Sequence, residues 1–127
     1  MRRTDQRRAA VVALYQADVT GRPADSLLDP EATPFTRELV EGVERERESL
    51  DALIERYAVD WTLDRIAPLE RNILRVALFE LLHRHDVPTE VAIDQAVDSA
   101  KELCSADTPG FVNGVLGAVQ REELASR

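Results

Sequence analysis

Arginines near the start of the chain are the residues whose type and spacing best suit a chemical role. Arg3 and Arg7 are four residues apart and Arg8 follows directly, so a helix would place them on one short basic ridge. Guanidinium groups bind phosphate oxygens through paired hydrogen bonds and also stack on nucleobases. Tyr15 lies eight residues beyond Arg7, near the same side, where its ring could also stack on a base. The pattern favours a nucleic-acid surface, and the alternative is solvated arginines with a core tyrosine.

A second candidate site lies where the last predicted helix begins. Residues 105–111 combine the free backbone N–H groups of a helix start with a glycine and the aromatic ring of Phe111. Such N–H groups can bind a phosphate while the ring contacts a base, and Asp107 would moderate the affinity by repelling RNA. The alternative is ordinary capping by Asp107 or Thr108, with Phe111 in the core.

Acidic residues dominate the rest of the chain. The net charge is -8, although residues 1–20 hold four arginines and two aspartates and so carry +2. Glu90, Asp94, Asp98 and Glu102 recur every four residues and would form one acidic stripe on a helix. This stripe is either a solvated face or a docking surface for a basic protein, a class in which ribosomal proteins are typical.

No group of residues indicates catalysis or metal binding. His83 and His85 are two residues apart, so they do not share a helix face as metal ligands would. The sequence contains no phosphate-binding loop and no nucleophile elbow. Cys104 is the single cysteine, residues 1–8 lack a signal-peptide segment, and the apolar runs are too short to span a bilayer. We expect a cytoplasmic protein that is not an enzyme and needs no cofactor or metal.

Apolar residues at helical spacing predict the elements that position these candidates. A first helix over residues 5–19 ends at Gly21 and is followed by a surface loop over 21–33. Thr33 is the expected cap of a second helix, with Pro34 in its first turn. The remaining elements are a short turn at 60–63, a helix over 68–85, a helix through 93–104, and a last helix with Thr108 as its cap and Pro109 at its first position. Such a series of helices with short connections predicts a compact all-α bundle.

Several blocks of the sequence together resemble the NusB family. These blocks are residues 10–16 (AVVALYQ), 69–81 (LERNILRVALFEL), 87–93 (VPTEVAI), 100–101 (AK) and 111–116 (FVNGVL). The block over residues 69–81 and the FVNGVL block form a combination that is specific to this family. All the blocks follow the order and spacing of the family over nearly the whole chain.

The resemblance implies a fold and a function. The fold is all-α, with two packed three-helix subdomains in a single domain over 1–127, divided into an N-terminal half of about 1–58 and a C-terminal half of about 59–127. The function is transcription antitermination, by binding boxA RNA of nascent ribosomal RNA transcripts together with NusE, a small-subunit ribosomal protein. The pair would join NusA and NusG on RNA polymerase.

Candidate residues follow from positions that match the family. The RNA-binding residues are Arg3, Arg7, Tyr15, Asp107 and Phe111, to which the basic ridge adds Arg8. The NusE-binding residues are Glu70 and the nearby Asp64. Because few phosphate contacts are expected, the chain alone should bind RNA modestly, and a basic partner should raise the affinity.

Two other functions stay open at this point. One is the helical accessory domain of a ribosomal RNA cytosine methyltransferase, which shares this fold and would need a catalytic region after Arg127. The other is a protein-binding adaptor or homodimer that uses the same surface to mask the RNA site.

Overall fold

Helices form nearly all of the regular structure. The computed structural model describes residues 2–59 and 61–124. The five α-helices are α1 (Arg3–Thr20), α2 (Pro34–Tyr57), α3 (Pro68–His83), α4 (Thr89–Leu103) and α5 (Thr108–Val119). The described residues contain no strand, so the predicted all-α fold is confirmed. Within the same residues, every helix is too short or too polar to span a bilayer.

The junction between α1 and α2 follows from local sequence signals. Gly21 ends α1 with φ of 77°, a left-handed conformation that glycine adopts without steric cost. Thr33 caps α2, because its hydroxyl oxygen accepts the backbone N–H of Thr36 at 3.3 Å. Pro34 then occupies the first turn of α2, where its missing N–H is not needed. These predictions are confirmed.

The start of α5 differs from the prediction. Thr108 is the first residue of the helix rather than its cap, and Asp107 occupies the N-cap position without a capping hydrogen bond from its side chain. The Thr108 hydroxyl instead donates a 2.7 Å hydrogen bond to the carboxylate of Glu70 on α3. A hydrogen bond to a distant residue on α3 thus replaces the local capping hydrogen bond that was expected from the sequence.

The other element boundaries differ by small amounts. The helix α1 begins two residues early, α3 ends two residues early, a 3-10 turn at Ala24–Leu27 interrupts the loop, and a π-helical turn at Gln120–Leu124 extends α5. The short turn expected at 60–63 lies at Leu63–Arg65, and Asp60 falls outside the described residues.

Helix α3 is the centre of the fold. All ten residues from 72 to 81 are buried, and three of them (Asn72, Arg75 and Glu80) are polar or charged. A helix that is buried all round must have neighbours on every side, and α3 packs against α1, α2, α4 and α5. The first three helices pack against one another, as do the last three, so α3 belongs to both groups. The division of the chain near residue 58 stays a prediction.

Close packing of α2 on α3 depends on Gly42. A Cβ atom added at this position would lie 2.2 Å from the Phe79 ring, a distance that real contacts do not reach. Phe79 is itself buried and stacks on His83 with ring centroids 5.2 Å apart, so its ring has little room to move. Gly42 therefore sets how closely the two helices approach.

The substitution Gly42→Ala tests this contact. We expect a loss of about 1–3 kcal/mol in the free energy of unfolding, because the added methyl group overpacks the core. Urea denaturation followed by circular dichroism measures it. Gly114→Ala is the control, since Gly114 is helical with no atom within 4 Å of an added Cβ, and alanine there should stabilise by roughly 0.5–1 kcal/mol. Equal effects of the two substitutions would contradict the packing argument.

Candidate nucleic-acid interface

The N-terminal arginines point in different directions. Arg3 and Arg8 are partly exposed, with side chains 49% and 35% accessible, whereas the Arg7 side chain is only 9% accessible. The expected ridge of three arginines is therefore corrected: two cations lie at the surface and the third lies in the interior.

Arg7 is held in the interior by a carboxylate on α3. Its Nε and Nη2 atoms donate hydrogen bonds of 2.7 and 2.9 Å to the two oxygens of Glu80, which is 1% exposed. Removing two charges from water is costly, and paired hydrogen bonds between opposite charges offset that cost. Because both guanidinium contacts go to Glu80, Arg7 does not present them to a ligand.

Phe35 organises the arginines at this end of the bundle. The guanidinium carbons of Arg3, Arg7 and Arg84 lie 4.2, 5.4 and 5.1 Å from the centre of its ring. Cations are attracted to the face of an aromatic ring at such distances. Phe35 is buried at the start of α2, so it fixes Arg3 relative to the core.

Carboxylates neutralise the outer members of this cluster. Arg84 forms two 2.9 Å hydrogen bonds to Asp86 and contacts Glu38 at 2.8 Å, and Arg3 lies 3.8 Å from Asp86. The hydrogen bonds from Arg84 lower the pKa of Asp86 to about 2. Asp86 therefore stays ionised near neutral pH and competes with any other anion for Arg3.

The acidic stripe on α4 reaches the other exposed arginine. Glu90, Asp94, Asp98 and Glu102 are all exposed, and Glu102 pairs with Arg8 on α1. Tyr15 lies two turns further along α1 and is half-buried. The basic end of α1 and the acidic face of α4 are therefore neighbours.

Three of the predicted site residues meet in a cleft of about 300 Å³. We call it the aromatic cleft, and its walls are Trp61, Arg65, Ile66, Glu70, Ser105, Asp107, Thr108 and Phe111. The rings of Trp61 and Phe111 meet edge to face, with centroids 6.3 Å apart and an interplanar angle of 65°. Phe111 packs partly against the core and partly lines the cleft, so it combines both roles considered from the sequence.

Polar groups form one wall of the aromatic cleft. Thr108 donates to Glu70 and lies 3.3 Å from the Ser105 hydroxyl, which ties the start of α5 to α3.

Burial raises the pKa of the Cys104 thiol, and the nearby Glu70 carboxylate raises it further. Cys104 is therefore a poor nucleophile, since its thiolate form is disfavoured.

Asp64 lies beside a different cleft. It is exposed, and a hydrogen bond from Thr62 lowers the pKa of its carboxyl group. This open cleft of about 400 Å³ is also lined by Asp18, Arg71 and Arg75. Asp64 and Glu70, which the sequence assigned to one partner surface, thus border two clefts.

Asp18 lines that second cleft and binds three other side chains. It accepts hydrogen bonds from Asn72 at 2.9 Å and from Arg75 and Arg47 at 2.7 Å. Burial alone would raise the pKa of Asp18, but the Asn72 hydrogen bond and the two arginine charges lower it more, and it ends below its usual value. Arg75 also pairs with Asp51, so one buried guanidinium links α1, α2 and α3.

Sequence reasoning missed Trp61 and Arg65 as cleft residues. Their position becomes clear only when the turn at Leu63–Arg65 folds against the start of α5. One available signal was that Trp61 is the single tryptophan of the chain and lies in a connecting segment. Among the described residues, no three histidine, cysteine or acidic side chains are grouped to hold a metal ion.

Comparison with known proteins identifies the family. The model of the NusB family matches residues 4–121. The chain belongs to the NusB family. Transcription antitermination protein NusB of Rubrobacter xylanophilus is 43% identical over 122 residues, which cover 91% of this chain and 88% of that protein. The family resemblance expected from the sequence is confirmed.

Solved structures agree with this membership. A crystal form of T. maritima NusB superimposes with a TM-score of 0.86 at 32% identity, covering 96% of this chain and 92% of that one. NusB in a crystal structure of antitermination factors NusB and NusE in complex with dsRNA superimposes with a TM-score of 0.83 at 27% identity, covering 94% and 96% of the two chains. The NusB fold extends over nearly the whole chain.

The buried pair of Arg7 and Glu80 generates a stability prediction. Glu80→Gln should lower the free energy of unfolding by about 3–5 kcal/mol, because the Arg7 guanidinium would remain buried without an opposite charge. Glu38→Gln is the matched control, because its 55% exposed carboxylate pairs with Arg84 at the surface and should contribute less than about 1 kcal/mol. Urea denaturation of both variants at pH 7 measures their free energies of unfolding. A Glu80→Gln variant as stable as the control would contradict the prediction.

Proposed function

We propose that this chain is a transcription antitermination factor that binds RNA together with the ribosomal protein NusE. The observation that carries the proposal is its 27% identity and TM-score of 0.83 to NusB in the complex of NusB and NusE with dsRNA. The relative from Rubrobacter xylanophilus has the name of a transcription antitermination protein. The chain works by recognition, and no catalytic step is involved.

The RNA is boxA of nascent ribosomal RNA transcripts. Its phosphates contact Arg3 and the partly exposed Arg8, while Tyr15 and Phe111 supply rings for unpaired bases. Asp107 borders this surface at the aromatic cleft and moderates the affinity by repulsion. Arg7 is a positioning residue, because its guanidinium holds Glu80 and lies on the Phe35 ring that also supports Arg3.

NusE occupies the acidic side of the molecule. Glu70 and Asp64 border neighbouring clefts, and the net charge of -8 favours a basic partner such as a ribosomal protein. A basic partner bound there offsets the acidic repulsion of RNA and adds phosphate contacts of its own. The pair then joins NusA and NusG on RNA polymerase in the cytoplasm.

A titration of labelled boxA RNA tests this function. We expect weak binding by the chain alone, clearly tighter binding with purified NusE, and loss of the NusE-dependent binding when the boxA sequence is scrambled. Arg3→Ala and Arg8→Ala should each weaken binding and reduce the slope of log affinity against log salt by about 0.7, the value of one phosphate contact on a single strand.

The control for this titration is Arg45→Ala. Arg45 lies on α2 with its side chain 63% exposed, so its removal changes the net charge equally without touching the proposed surface. Absence of RNA binding with and without NusE would contradict the proposed function and would favour a protein-binding adaptor. Equal losses for all three variants would show that only the overall charge matters.

A further inference from the structure

Trp61 is exposed to a degree that the fold does not require. Its side chain is 50% exposed although tryptophan is the largest apolar residue, and Val59, two residues earlier in the sequence, is 75% exposed. An edge-to-face contact with Phe111 holds the indole at the mouth of the aromatic cleft. Buried aromatic surface stabilises proteins strongly, so an indole left open beside a cleft is suited to a contact with a flat ligand.

The groups around the indole have complementary chemistry. Arg65 is exposed at the same mouth and supplies a positive charge. Asp107 supplies carboxylate oxygens in the wall of the cleft, whereas one oxygen of Glu70 is already engaged by Thr108. The cleft thus offers a flat apolar face, a cation at the rim, and hydrogen-bond acceptors within.

We propose that the aromatic cleft binds one unpaired nucleobase that carries an exocyclic amino group, with Trp61 as the surface on which the base stacks. The inference rests on the proposed function and extends its RNA surface to Trp61 and Arg65. Unpaired RNA bases are bound by stacking on aromatic rings together with hydrogen bonds to their edges. Arg65 contacts the phosphate that follows the stacked base.

The acceptors in the cleft determine which bases fit. A carboxylate accepts a hydrogen bond from the amino group of cytosine or adenine, but it repels the carbonyl oxygen that uracil presents at the equivalent position. Asp107 therefore selects against uracil in this cleft. A peptide chain would also find acceptors here, but the flat indole and the continuity with Phe111 favour a base.

The single tryptophan provides an intrinsic fluorescence probe of the aromatic cleft. Because Trp61 is the only indole, its fluorescence reports on this cleft and on no other part of the molecule. We would titrate the full chain at low salt with cytidine and uridine oligonucleotides of equal length, which carry equal charge. The expected result is strong quenching at saturation, with the cytidine oligomer binding roughly fivefold or more tightly, as expected for a discriminating base contact.

Variants of Trp61 separate stacking from folding. In an anisotropy titration of labelled boxA RNA with NusE present, Trp61→Ala should weaken binding about 5- to 100-fold, the range seen for the loss of one stacked base. Trp61→Phe should recover most of the affinity because it keeps an aromatic face. Val19→Ala is the control, since it removes an apolar side chain that is 58% exposed at the far end of α1 and should change nothing.

Three results would overturn the inference and are distinguishable. RNA binding that is unaffected by Trp61→Ala and leaves the fluorescence unchanged rejects the cleft as a base site but leaves the proposed function intact. Weaker binding of NusE to Trp61→Ala in the absence of RNA assigns the cleft to the protein partner. Failure of the unmodified chain to bind RNA with or without NusE removes the proposed function and the inference together.

Discussion

Charged side chains on α3 impose the strongest constraint on this fold. Arg75 and Glu80 lie within ten consecutive buried residues, and burying either charge is costly unless an opposite charge lies beside it. Helix α1 supplies an opposite charge for each of them, because Arg7 pairs with Glu80 and Asp18 pairs with Arg75. The two pairs fix the antiparallel direction and the register of α1 on α3, because sliding either helix by one turn would leave two buried charges unpaired.

This register also determines the surface. With Arg7 turned inward, Arg3 and Arg8 lie on either side of it and face different carboxylates, Asp86 and Glu102. A polyanion must therefore compete with two side chains of the protein itself. The same acids keep the basic end of α1 from attracting every anion, so the structure combines attraction for RNA with a built-in restraint on its strength.

Local signals in the sequence predicted the helices, whereas distant pairings were beyond their reach. Gly21 and Thr33 act through neighbouring backbone groups, so the loop between α1 and α2 was predictable. The direction of Arg7 depends on Glu80, which is 73 residues away, and the role of Thr108 depends on Glu70, 38 residues away. The aromatic cleft likewise needs a turn folded against the start of α5, so sequence spacing alone found Phe111 and Asp107 but not Trp61.

Because α3 belongs to both groups of three helices, the two groups depend on each other during unfolding. Neither group completes its apolar interior without this one helix, because α3 packs against α1 and α2 and also against α4 and α5. Loss of either group would expose the apolar residues of α3 to water and weaken its hold on the remaining group. We therefore expect the five helices to unfold in a single cooperative transition, and we expect a fragment ending before Pro68 to lack the helix against which its own helices pack.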